Sequence, residues 1–141
     1  MSLLKDFLLE NANVTTDAVE VPVSKRFTDA KGNLMKFKVR PVTGDEFSDY
    51  QKKSTKVEMQ GKKKVATMDS KVFNNLVIIN HCIDPDFKDV EFIKQLNVQT
   101  PEQALQKTLL AGEIVELASR ISDISGFDTD INDEIEEAKN Y

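Results

Sequence analysis

Asp69-Ser70-Lys71-Val72-Phe73-Asn74-Asn75-Leu76-Val77-Ile78-Ile79-Asn80-His81-Cys82-Ile83-Asp84-Pro85 reads as one buried helix over 70–83, and its neighbours must supply its cover. Asp69 offers the side-chain oxygen that caps a helix start. Val72, Phe73, Leu76, Val77, Ile79 and Ile83 take up most of the helix circumference, the pattern of an element packed on several sides. Asp84-Pro85 closes it, because a residue before proline resists helical geometry.

Upstream, Val57-Glu58-Met59 and Val65-Ala66-Thr67-Met68 flank Gln60-Gly61-Lys62-Lys63-Lys64 and read as a hairpin with a basic tip. Before it, Thr43-Gly44-Asp45-Glu46 has the capping-box pattern, which predicts a helix over 44–54 with Phe47 and Tyr50 inward. Val19, Val21 and Val23 alternate with polar residues, as do Phe37 and Val39, and Thr28–Asn33 supplies turn chemistry between them. Pro22 argues that the first of these strands lies at an edge. Leu3, Leu4, Phe7 and Leu8 line one face of a helix over 2–11, with Ser2 placed to cap it.

Downstream, Phe87, Val90, Ile93 and Leu96 mark a helix over 87–97. Thr100-Pro101-Glu102-Gln103 combines a cap, a proline at the first helical position and a capping-box glutamine, with Leu105, Leu109 and Leu110 following. Ile114, Leu117, Ala118, Ile121 and Ile124 share a face of a last helix that stops at Gly126. The expected class is α+β: two β-hairpins, or one small mixed sheet, packed with four to five α-helices in a single domain. The expected division is a helix and linker over 1–17, a core over 18–126, and an acidic tail over 127–141 that is dispensable for folding.

Composition narrows the function. The lone cysteine, Cys82, has no partner for an internal bridge, which points to a reducing compartment. No segment is apolar over the length that a membrane helix needs, and Asp6 interrupts the N-terminal apolar run, which therefore does not read as a signal peptide. A cytoplasmic location and no membrane partner are expected. From Lys25 to Lys64 twelve Lys or Arg face five Asp or Glu, whereas from Glu113 to Tyr141 nine acids face two bases. Opposed charge of this kind either orients partners or forms ordinary solvated faces.

No catalytic constellation emerges. His81 and Cys82 adjoin, but neighbours on a helix diverge by about 100°, so Cys82 is expected in the core and His81 on the surface. One histidine and one cysteine do not make a zinc tetrad. Asp128-Thr129-Asp130-Ile131-Asn132 begins like a calcium loop, yet Asp133 stands where glycine is needed and Lys139 where the bidentate glutamate belongs. Gly61–Lys64 lacks the upstream glycine and following hydroxyl of a P-loop. With Lys52, Lys53 and Lys56 it is either a nucleic-acid contact or a solvated tip; without interleaved aromatics the tip is the better reading. The carboxylates sit in polar sequence contexts that give no ground for a raised pKa. No enzyme activity, metal or cofactor is expected.

Several local strings reach further. Val21-Pro22-Val23-Ser24-Lys25-Arg26-Phe27 precedes Phe37-Lys38-Val39-Arg40-Pro41-Val42-Thr43; the Gly61–Lys64 turn leads into Asp69-Ser70-Lys71. Leu109-Leu110-Ala111-Gly112-Glu113, Ile124-Ser125-Gly126-Phe127-Asp128 and Glu137-Ala138-Lys139-Asn140 follow. In this order and spacing, from about residue 3 to the last, the chain resembles the XkdN-like tail assembly chaperones of tailed phages and PBSX-type prophages.

The resemblance implies a protein that binds the long, aggregation-prone tape measure protein and is absent from the finished tail. It also implies, as in many tailed phages, a frameshifted longer product that recruits tail-tube protein. It carries over no catalytic residue and no fixed contact motif. Leu3, Leu4, Phe7 and Leu8 are the candidate partner-binding residues, for tape measure or for self-association; the other reading docks them on the chain's own core. Two further functional readings stay beside it. One is a small regulatory nucleic-acid-binding protein using the basic hairpin, with binding that collapses as salt rises; the other is a structural tail component.

Overall fold

Two capping boxes, at Thr43 with Glu46 and at Thr100 with Gln103, set the starts of two helices at the residues where their sequence patterns begin. The computed structural model describes residues 2–11 and 17–127. Its elements are α1 (Leu3–Glu10), β1 (Val19–Val21), β2 (Phe37–Val39), α2 (Gly44–Ser54), β3 (Thr55–Gln60), β4 (Lys63–Met68), α3 (Ser70–His81), β5 (Cys82–Asp84), α4 (Val90–Gln95), α5 (Pro101–Thr108) and α6 (Ala111–Ser122). A wide turn over Asp123–Phe127 ends the described chain, with Gly126 at φ +95°, a conformation that favours glycine.

The class is α+β, with both hairpins present. β1, β2 and β5 form an antiparallel sheet in that order, and β3 with β4 forms a separate ribbon. Val19, Glu20 and Val21 pair with Val39, Lys38 and Phe37, so Val21, Phe37 and Val39 turn into the core. β1 is at the sheet edge, which suits the proline that follows it.

α3 is the central element, packing against α2, α5 and α6. It does not reach residue 83. The chain leaves helical geometry at Cys82, and Cys82–Asp84 becomes the third strand, with Val39 opposite Cys82. A bulge between Lys38 and Val39 accommodates the junction. This junction also corrects the expectation for His81. Because the backbone changes conformation between them, His81 and Cys82 both point inward, and His81 is fully buried. α4 is shorter than expected, at six residues, with Phe87 ahead of it in the core.

Candidate functional site: apolar surface around a polar-clamped core

His81 is held in a polar cluster formed by three segments. The Tyr50 hydroxyl lies 2.8 Å from His81 Nε2, and Glu46 Oε2 lies 3.6 Å from the same nitrogen. Arg40 donates to the Asn80 carbonyl at 3.0 Å and to Glu46 at 3.3 Å, while its backbone N–H donates to the His81 carbonyl at 2.9 Å. Burial, then the Arg40 charge, hold the His81 pKa below its ordinary value, so the ring is neutral near pH 7. Burial, then Glu46, push the Tyr50 phenol up. Among the described residues His81 Nδ1 has no hydrogen-bond partner, and none of the cluster's side chains lines either of the two apolar pockets. Its role is to join α2 to the α3–β5 junction. Tyr50→Phe is expected to cost about 1–2 kcal/mol by stripping a buried nitrogen of its closest partner. The shift of the urea midpoint measures it.

A second clamp crosses 87 positions of sequence. Arg26 donates to Glu113 through Nε at 2.9 Å and Nη2 at 2.6 Å, and to the Thr108 carbonyl at 3.0 Å. Glu113 also accepts from the Leu110 backbone N–H at 2.8 Å, closing the start of α6. The Arg26 hydrogen bond holds the Glu113 carboxyl down at about 2, against a smaller opposing effect of burial. The guanidinium lies 4.6 Å from the Phe27 ring centroid.

The clamp holds one wall of an apolar groove of about 280 Å³. Phe37, Phe87 and Leu109 form its buried floor; Phe27, Met35, Pro85 and Phe92 form its sides, with Lys36 and Asp84 at the edge. Phe27 meets Phe37 edge-on at 5.0 Å between ring centroids. Sequence reasoning did not find this groove, because its lining comes from segments that meet only in the folded chain.

The sequence-predicted site residues all lie on α1. Ser2 accepts from the Lys5 N–H at 3.1 Å, and the Asn11 side chain donates to the Phe7 carbonyl at 2.9 Å, so the helix is capped at both ends. Leu3, Leu4, Phe7 and Leu8 are between 57% and 89% exposed, and α1 contributes no buried residue. Leu9, outside the predicted stripe, is exposed as well. The calcium-like run at 128–139 lies outside the described residues. Among the described residues no cluster of metal-ligating side chains occurs, and no helix is long and apolar enough to cross a membrane.

A small α+β domain with an exposed apolar helix, an apolar groove and a ribbon standing off its core has the features of a protein-binding module. Residues 4–139 match the phage XkdN-like tail assembly chaperone family, and the chain belongs to it. It is 29% identical over 136 residues to the phage-like element PBSX protein XkdN of Bacillus subtilis (strain 168), covering 95% of this chain and 92% of that one. It is equally similar, at 29% over 136 residues, to the uncharacterized protein YqbN of the same strain, covering 95% and 91%. The crystal structure of YqbN superposes with a TM-score of 0.64 at 26% identity, over 82% of this chain and 90% of that one. The protein is a phage tail assembly chaperone by family.

Proposed function

We propose that this chain binds the tape measure protein of its phage or prophage in the bacterial cytoplasm, keeps it soluble until the tail assembles, and does so without catalysis. The observation that carries the reading is α1, a capped helix with five large apolar side chains in solvent. Such a stripe masks apolar segments of a partner by burial, which needs no sequence-specific pairing. In this reading residues 1–17 are the working arm, 18–126 the core that carries it, and 127–141 the acidic tail, from which a frameshifted product would reach tail-tube protein. The charged regions then serve mainly to accelerate encounter.

Co-expression with the tape measure protein encoded in the same phage tests the proposal. The tape measure protein is expected in the soluble fraction with this chain and in the pellet without it. Leu4→Ser with Phe7→Ser removes about 3 kcal/mol of apolar burial, on the order of a hundredfold in affinity, if α1 is the contact. The same pair is expected to leave the melting temperature of the isolated protein unchanged. Full rescue by the double variant would move the contact away from α1, and failure of the unmodified chain to bind or rescue would end the chaperone reading in this form.

A further inference from the structure

β3 and β4 pair over six positions, from Thr55 opposite Met68 to Gln60 opposite Lys63. Apart from Val65, every side chain in the two strands is exposed. Directly opposed residues share a face. Val57, Met59, Ala66 and Met68 therefore lie on one side of the ribbon, with Val57 and Met59 66% and 62% exposed. A two-stranded ribbon with both faces in water is marginally stable. Its base is nonetheless closed, by the Asp69 N–H donating to the Ser54 carbonyl at 2.7 Å and by Lys56 against Asp69 at 3.5 Å. Lys56, Lys62, Lys63 and Lys64 make the ribbon strongly basic against a lone Glu58.

We infer that the Val57–Met59 face is a docking surface whose occupant in the free protein is the chain's own segment 128–141. That segment lies outside the described residues, and its sequence supplies what the face asks for. Ile131, Ile135 and Ala138 recur at i, i+4 and i+7 among six acids and a single base. α1, the other apolar segment with acids, carries Lys5 beside Asp6 and Glu10 and so has little net charge to offer a basic ribbon. The reach is also right. Phe127 packs on Phe47 with centroids 5.0 Å apart, and α2 runs from Phe47 straight into β3. That leaves about 12 Å along α2 at 1.5 Å per helical residue, and roughly 7–13 Å more along β3 to Val57 and Met59 at about 3.3 Å per strand residue. Fourteen residues of chain span about 21 Å as a helix, enough to reach Val57, and up to roughly 46 Å when extended, enough for the whole face. Because the partners are tethered, an effective concentration in the millimolar range populates even a weak contact. The inference stands apart from the tape measure proposal: it rests on the ribbon and the charge of the chain, whatever α1 binds.

A nitroxide on Asn140→Cys in the 141-residue chain tests it. Cys82 is buried and its thiol is pushed up to about 12, chiefly by burial, so the label goes to residue 140. Amide signals of residues 55–68 are expected to broaden strongly, and Val57→Ser with Met59→Ser is expected to restore them. Lys62→Glu with Lys63→Glu and Lys64→Glu, which keeps the apolar face, is expected to restore them as well. Broadening centred elsewhere, or none, overturns the inference. So does broadening that appears only when labelled chains are mixed with nitroxide-free ones, because the occupant is then a second copy.

Discussion

Phe87→Ala is expected to lower the unfolding free energy by about 3–5 kcal/mol, against a usual total of about 5–15 kcal/mol. Phe87 is fully buried, with its ring centroid 6.1 Å from that of Phe92, and it forms the floor of the apolar groove. Its neighbours Phe37 and Leu109 are fixed by the sheet and by the end of α5, so the site has little freedom to collapse around the missing ring. Urea unfolding with an unchanged m-value should report the loss as a shift in midpoint. The informative contrast is Phe7→Ala, where an equally apolar residue stands in solvent on α1. That change is expected to fall within about 0.5 kcal/mol. Equal losses at the two positions would mean that α1 packs on the core in solution.

Glu113→Gln is expected to cost about 2 kcal/mol at neutral pH by replacing a charge-assisted fork to Arg26 with a weaker amide contact. It also predicts a change in shape of the acid limb. The folded-state pKa of Glu113 is depressed, to about 2 from an ordinary 4.5. Its contribution is therefore complete above the unfolded value and is lost as pH falls from 4.5 toward about 2. The variant should lack that part of the acid-induced decline. Burial depresses the His81 pKa below its ordinary 6.5, so the unfolded chain takes up that proton first. Stability should accordingly begin to fall below pH 6.5 in both proteins. Identical acid limbs for the wild type and Glu113→Gln would remove the fork from the account of stability.

What was legible in the sequence was local. Thr43 with Glu46 and Thr100 with Gln103 carry their instructions within four residues, and both helices begin where those residues place them. The alternation of Val21 and Val23 with Phe37 and Val39 gave the inward face of the first hairpin, although Val19, in the same alternation, is exposed at the start of the edge strand. The end of α3 was not legible, because Cys82-Ile83-Asp84 continues an apolar helical pattern and only pairing with β2 makes it a strand. His81 was misplaced for the same reason: Tyr50, its partner, is 31 residues away. The α1 stripe could be read as a pattern, since i, i+1, i+4 and i+5 spacing needs no tertiary knowledge. The groove could not, because Phe27, Pro85 and Leu109 are neighbours only in the folded chain, where the Arg26–Glu113 fork and the sheet bring their segments together.

The closed base of the β3–β4 ribbon has a consequence for how such chains diverge. Since Ser54 and Asp69 are already tied to each other, the packing of α2 on α3 is indifferent to what is strung between them. Apart from the partly buried Val65, residues 55–68 set no side chain inward, so changes in their length or sequence are expected to leave the interior in place. A chain whose ribbon is rewritten is therefore expected to lose the docking face while keeping the rest of the fold. For the same reason a reporter peptide spliced in at Gly61, which sits in open space at φ +65°, should leave the scaffold folded.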